Sequence, residues 1–188
     1  APAMGKFLSP FDGFWQNAES SALFNVPDLN FPELQGETSV LFDERLVPHI
    51  FASNEEDAFF AQGYITAHYR LWQMDISVRA TGGYLSEILG ERLLKRDIQQ
   101  RRKGMRLASE KQVKTWEKTG EIKLIEAYTH GVNAFIAELS PKDYPVEFKL
   151  MGYEPEPWSN LKSAIFLRGM VETLSSRNMD LRASNSLK

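Results

Sequence analysis

The sequence predicts an α+β chain that is mostly helical with one short strand pair, and three observations carry that reading. Apolar residues recur at intervals of three and four in three separate stretches, each the mark of one buried helix face. Two short β-prone runs lie side by side near residue 45. Pairs and clusters of glycine and proline punctuate the stretches between.

Residues 1–36 come first and are irregular, with prolines at positions 2, 10, 27 and 32. Phe7, Phe11, Phe14, Trp15, Phe24 and Phe31 are the anchors of this segment. Such an apolar load on an aperiodic backbone predicts wrapping around another surface. Thr38-Ser39-Val40-Leu41-Phe42 and His49-Ile50-Phe51-Ala52 then read as a strand pair with Pro48 at an edge. Ser53 to Glu56 has capping-box form, and Phe60, Tyr64, Ala67, Leu71, Met74 and Val78 follow as one face of a long helix ended by Gly82-Gly83. Tyr84 to Leu89 is a short helical piece closed by Gly90, and residues 91–106 read as a charged helix. Ser109 to Gln112 offers a further capping box. Leu124, Tyr128, Val132, Phe135 and Leu139 form a second stripe stopped by Pro141. Pro145, Pro155 and Pro157 mark a loop, and Leu161, Ile165, Phe166, Gly169, Met170 and Leu174 mark a last helix that breaks near Ser175-Ser176. Two strands alone do not make an independently stable sheet. They join strands from elsewhere or the assignment fails, so the chain reads as part of a larger fold.

The length of 188 residues allows one domain with a sizeable core. Apolar residues at 43% and charged residues at 25% are ordinary for a globular chain. A net charge of −3 argues against nucleic acid. The densest basic run, Lys95-Arg96 through Arg101-Arg102-Lys103, is offset by Glu91 and Asp97 and reads as a solvated helix face. No apolar run approaches the roughly 18 residues of a membrane span. Ala1-Pro2-Ala3-Met4 lacks signal-peptide regions but suits an end left after cleavage at small residues. With no cysteine, disulfides, zinc-thiolate sites and a Cys nucleophile within these residues are excluded, while the compartment stays open.

Chemistry-bearing motifs are sparse. HExxH, Walker and GxSxG patterns are absent, and His49, His68 and His130 are too dispersed for a metal cluster by spacing. His68, alone on a helix, reads as a packed residue rather than a ligand. Gly82-Gly83 does not follow a strand, which argues against a phosphate loop.

One run of residues goes further. Asp43-Glu44-Arg45-Leu46-Val47-Pro48-His49-Ile50-Phe51-Ala52, then Asp57-Ala58, then Gly63-Tyr64-Ile65-Thr66-Ala67-His68-Tyr69-Arg70-Leu71-Trp72-Gln73-Met74-Asp75 closely resembles the small-subunit signature of the penicillin acylase family. Gly83 to Gly90, Asp97 with Arg101, Ala127 to Ile136, Pro145 to Phe148 and Pro155 to Ser159 keep the same order, so the resemblance covers roughly residues 36–188. Leu46 stands where the family often carries glycine, which implies a different local turn. The resemblance implies the small subunit of an N-terminal-nucleophile hydrolase with an αββα core, cut from one precursor along with a large subunit. The nucleophile would be the first residue of that large subunit, usually serine, with its own α-amine as base. No catalytic residue would lie in this chain. The substrate would be an N-acyl compound: a penicillin, a cephalosporin or an N-acyl-homoserine lactone. The location would be periplasmic or secreted.

The same resemblance places Met170 and Leu174 against the acyl group and puts Thr173 where penicillin G acylases carry an arginine. Periodicity alone would as readily make Met170 and Leu174 plain core. Asp180 falls where similar enzymes place the small-subunit carboxylate of a structural calcium site shared with the large subunit, an oxygen ligand suited to that cation; a solvated Asp is the alternative. Ser184-Asn185-Ser186 is not the nucleophile start, because an internal serine has no free amine. The runner-up reading of the whole chain is a non-catalytic helical binding or scaffold module.

Overall fold

The computed structural model describes residues 31–175. Strands β1 (Thr38–Phe42) and β2 (Pro48–Ala52) pair antiparallel, with Thr38 opposite Ala52 and Phe42 opposite Pro48. Helices follow in the order α1 (Glu55–Gly82), α2 (Leu85–Leu89), α3 (Leu94–Arg102), α4 (Met105–Thr119), α5 (Ile122–Glu138), α6 (Val146–Met151) and α7 (Asn160–Ser175). The two outcomes left open for the strand pair resolve in favour of the strands. Val40 and Phe42 pack onto the hydrophobic core built around α1, with the Phe42 and Tyr69 rings edge to face at 6.1 Å. Among the described residues, α1 supports the hairpin.

The hairpin turn is held by Asp43, whose Oδ1 accepts from the N–H of Arg45 at 2.9 Å and of Val47 at 2.9 Å. Leu46 lies at φ 60°, in the left-handed region that glycine enters freely. The departure from glycine is therefore taken up as backbone strain at one residue.

α1 starts one residue later than the capping box predicted. Asn54, not Ser53, is the cap: its Oδ1 accepts from the Asp57 N–H at 2.8 Å, and its Nδ2 donates to Asp57 Oδ2 at 2.8 Å. Ser53 instead donates to the Glu37 carbonyl. Asp57 wins the role expected of Glu56 because it is buried and also receives the N–H groups of Gln35 and Gly36. That grip, with Phe31 stacked on Phe60 and Tyr64, ties the segment before β1 to the start of the helix. All six predicted stripe residues of α1, from Phe60 to Val78, are buried. Gly83, at φ 77°, ends the helix, and Tyr84 N–H closes back to Arg79 O at 2.8 Å.

α5 crosses α1 at two glycines. A Cβ on Gly63 would sit 2.1 Å from Tyr128 O, and one on Gly131 would sit 2.0 Å from Phe60 O. Val132, Phe135, Phe148 and Trp158 complete the core beside this crossing. Asn133 pins the approach to α7, accepting from Trp158 N–H at 2.7 Å and donating to Trp158 O at 3.1 Å.

Three expectations are corrected. The proline-marked loop contains α6, which Pro145 opens and Gly152 closes at φ 72°. The charged helix over 91–106 starts as a 3₁₀ turn at Glu91–Leu93, runs on as α3, and is cut off from α4 at Gly104, which turns left-handed at φ 72°. Ser109 caps nothing: it lies fully buried inside α4 and donates to Met105 O at 2.8 Å. The basic run is solvated as its charge pattern predicted, with Lys95, Arg96, Arg101, Arg102 and Lys103 all exposed. Arg101 donates to Gly83 O at 2.8 Å and stacks over the Tyr84 ring at 4.7 Å, while Asp97 is buried and accepts from Ser86 N–H at 2.6 Å.

Candidate functional site

α7 carries the residues that meet a cavity, and its two halves behave differently. The first turn is fixed by Ser159, whose Oγ accepts from Lys162 N–H, and by Asn160, whose Oδ1 accepts from Thr129 Oγ1 at 2.7 Å. Ala164 and Ile165 are buried. Gly169 then touches α1, where a Cβ would come within 2.2 Å of Thr81 Oγ1. Beyond it the helix leaves the core, with Met170 51% and Leu174 79% exposed in this chain. Neither residue packs into the core formed by the described residues.

Met170, Thr173 and Leu174 come together along one wall of a cavity of about 640 Å³. Ser77, Ala80 and Thr81 of α1 form another side, and Arg96, Gln100 and Lys103 of α3 face them. Thr173 Oγ1 donates to Gly169 O of its own helix at 2.9 Å, so its donor is used up and it brings no charge. The α7 wall thus offers apolar surface with little polar demand, which suits an apolar group held by burial.

One charged residue at this wall escaped the sequence reading. Glu172 accepts from Gln100 Nε2 at 2.8 Å and from Lys103 Nζ through its other oxygen. The Lys103 hydrogen bond is the main reason its carboxyl lies below the usual carboxylate range. A glutamate inside an otherwise apolar helix end was the available signal, but its partners lie about seventy positions away.

The other candidates lie elsewhere. The His68 ring packs edge-on against Tyr69 and Phe135, at 4.7 Å and 5.2 Å, as a packed residue would. It lines a separate cavity of about 800 Å³ with Glu138 and Tyr144. His49 sits 3.6 Å from Asp43 on the hairpin. Among the described residues no group of three or more His, Cys, Asp or Glu side chains forms a metal site. Asp180 and Ser184 to Ser186 lie outside the described residues.

A buried ionic hub supports the same region. Arg79 donates to Asp75 at 2.8 Å, to Glu87 at 2.9 Å and to Glu156 at 2.8 Å, and Tyr153 OH donates to Asp75 at 2.7 Å. Burial works against the Arg79 charge, but Asp75 and Glu156 outweigh it and raise its pKa. The hub locks the end of α1 to α2 and to the loop entering α7.

With this geometry in place, comparison with known proteins identifies the family. Residues 37–188 match the penicillin amidase family, and the chain belongs to it. It is 39% identical over 142 residues to the penicillin acylase 2 proenzyme of a Pseudomonas species, covering 74% of this chain and 18% of that one. It is 29% identical over 147 residues to the penicillin G acylase of Escherichia coli, covering 77% and 17%. An acyl-homoserine lactone acylase of Pseudomonas aeruginosa is 34% identical over 120 residues, covering 63% and 14%. Among solved structures, a thermostable penicillin G acylase from Alcaligenes faecalis matches with a TM-score of 0.70 and 26% identity over 80% of each chain. The chain therefore spans less than a fifth of the curated relatives it matches. No helix among the described residues is long and apolar enough to cross a membrane.

Proposed function

We propose that residues 1–188 act as one unit, the small subunit of a two-chain acylase that hydrolyses the linear amide bond between an acyl group and an amine. The observation that carries this reading is the end of α7, where Met170 and Leu174 stand exposed over a cavity instead of entering the core. The share of the chains covered supports the two-chain form. This chain is a small part of a proenzyme relative, yet matches 80% of one chain in a solved acylase.

In this reading the strand pair and helices complete an αββα fold with a large subunit from the same self-cleaving precursor. The large subunit's N-terminal serine attacks the amide carbonyl, and its α-amine, near pKa 8, accepts the serine proton. Backbone donors of that subunit stabilise the oxyanion. The amine departs with a proton, and water then releases the acyl group. This chain contributes no catalytic residue; Met170, Thr173 and Leu174 hold the acyl group by burial. The substrates are penicillins or N-acyl-homoserine lactones, in keeping with the names of the relatives, or cephalosporins, which rest on the family resemblance alone. The proposal includes a structural calcium ion to which Asp180 supplies one oxygen, the other ligands coming from the large subunit. A periplasmic or secreted location rests on the family resemblance alone.

The test is made on the protein purified from its full-length gene. Intact mass should show a second, larger chain beginning with Ser, Thr or Cys. Leu174→Ala should then shift relative kcat/KM towards longer or bulkier acyl groups by roughly tenfold, since a methylene in such a pocket is worth about 1–3 kcal/mol. An equal fall for every acyl amide would make Leu174 a packing residue only.

A further inference from the structure

Of the residues 170–175, Glu172 alone is not exposed. The other five are exposed, and Met170, Thr173 and Leu174 line the cavity together with Glu172. Glu172 is gripped at both oxygens, by Gln100 on one and Lys103 on the other. Its anchor is firm, because Gln100 is buried and α3 is itself fixed by Asp97 on Ser86 and by Arg101 on Gly83. A two-point grip on a planar carboxylate fixes both the distance of the helix end and its rotation. Residues 170, 173 and 174 share one turn with Glu172, so they move with it.

We infer that Glu172, clasped by Gln100 and Lys103, is the positioning residue that sets the width of the acyl cavity and therefore which acyl groups the enzyme prefers. The inference rests on the reading that Met170, Thr173 and Leu174 face the acyl group. Releasing the clasp frees the last turn of α7 to swing or rotate, and the apolar wall loses its fixed distance from α1. Discrimination between short and long acyl groups falls, because a wall that moves accommodates both. Glu172 lines the cavity too, but both of its oxygens are engaged by Gln100 and Lys103, so it acts through its neighbours.

The experiment compares wild type with Glu172→Gln, Glu172→Ala and Lys103→Met in the processed two-chain protein. It measures kcat and KM for a series of straight-chain acyl amides and a phenylacetyl amide, and amide hydrogen exchange across α7. For Glu172→Ala the preference between the best and worst acyl groups should shrink by about tenfold. The change should appear mainly as a higher KM for the preferred group, with faster exchange confined to residues after Gly169. Glu172→Gln keeps an acceptor for one partner and should recover most of the selectivity, and Lys103→Met should fall between the two. Uniform loss across all substrates, or unchanged preference with unchanged exchange, overturns the inference. Should wild type hydrolyse none of these amides, the acylase reading fails. The exchange pattern then decides separately whether Glu172 holds the helix end, and unaltered exchange in Glu172→Ala overturns that too.

Discussion

Leu46 and Asp57 show how single side chains set the entry to the fold. Leu46 holds φ 60° while 61% exposed, so it bears left-handed strain and returns little burial. An L-residue in that conformation costs roughly 1–2 kcal/mol, whereas glycine adopts it freely and gives back only part through chain entropy. Leu46→Gly should raise the thermal midpoint by about 2–4 °C, the shift that about 1 kcal/mol produces in a chain of this size. A lower midpoint would place the missing stability in contacts of the leucine side chain. Asp57 works in the opposite sense. Burial alone raises its carboxyl pKa, but the Gln35 N–H, the Asn54 side chain and the Gly36 N–H together outweigh it and hold the group below the usual range. A carboxyl lowered by folding stabilises the native state above its unfolded pKa, near 4, and loses that contribution as pH falls through the lowered value. Asp57→Asn should cost about 1–3 kcal/mol at neutral pH, because an amide NH₂ then meets backbone donors. The gap from wild type should close below about pH 4; a constant gap in denaturation series at decreasing pH would refute the linkage.

Helix α1 owes its position to composition on its inner face and to two missing side chains. The Gly63 and Gly131 contacts are reciprocal: each helix lets the other's backbone carbonyl approach where a methyl group would stand. The obstacle in both cases is backbone and not a flexible side chain, so a substituted residue cannot be accommodated by a rotamer change. Gly131→Ala should destabilise by about 3 kcal/mol or more, the upper end of overpacking costs, and should disturb the Tyr64–Phe135 contact beside it. Gly104→Ala makes a useful contrast, since a Cβ there meets nothing within 4 Å and only its left-handed φ of 72° resists the change. Similar losses of stability at both positions would show that packing at the crossing is not the decisive factor.

Taken together, the exposed apolar positions describe a chain built to be covered. Leu41 and Phe51 stand on the outer face of the hairpin, and Leu167, Val171 and Leu174 make a stripe along the outer side of α7. Such faces favour association when nothing caps them. Residues 1–188 expressed alone should be poorly soluble or molten and inactive on acyl amides. Co-expression with the rest of the precursor should restore solubility. A monomeric, cooperatively folding isolated chain would remove the argument for obligate partnership. The calcium proposal has its own check: Asp180→Ala should lower both the calcium content and the extent of precursor processing. Unchanged metal content with normal self-cleavage would remove Asp180 from the site.

The helical stripes were legible because burial of one face at a period of 3.6 residues leaves its mark directly in the order of apolar residues. The face from Phe60 to Val78 needed nothing else. The signature around residues 43–75 was equally plain in the sequence and pointed to the family. Boundaries set by competition between neighbours were not legible. Ser53 and Asn54 are both good caps, and the choice fell to Asn54 because Asp57 is drawn inward by Gln35 and Gly36, some twenty positions earlier. The charge pattern of the basic run foretold its exposure, but not the carbonyl and the ring that Arg101 meets. Periodicity left Met170 and Leu174 undecided between core and cavity, because the pattern of a helix face does not say whether anything of the same chain lies opposite. The tertiary structure leaves Met170 and Leu174 exposed at a cavity past Gly169, and the clasp of Glu172 by Gln100 and Lys103 exists only once α3 and α7 are brought side by side.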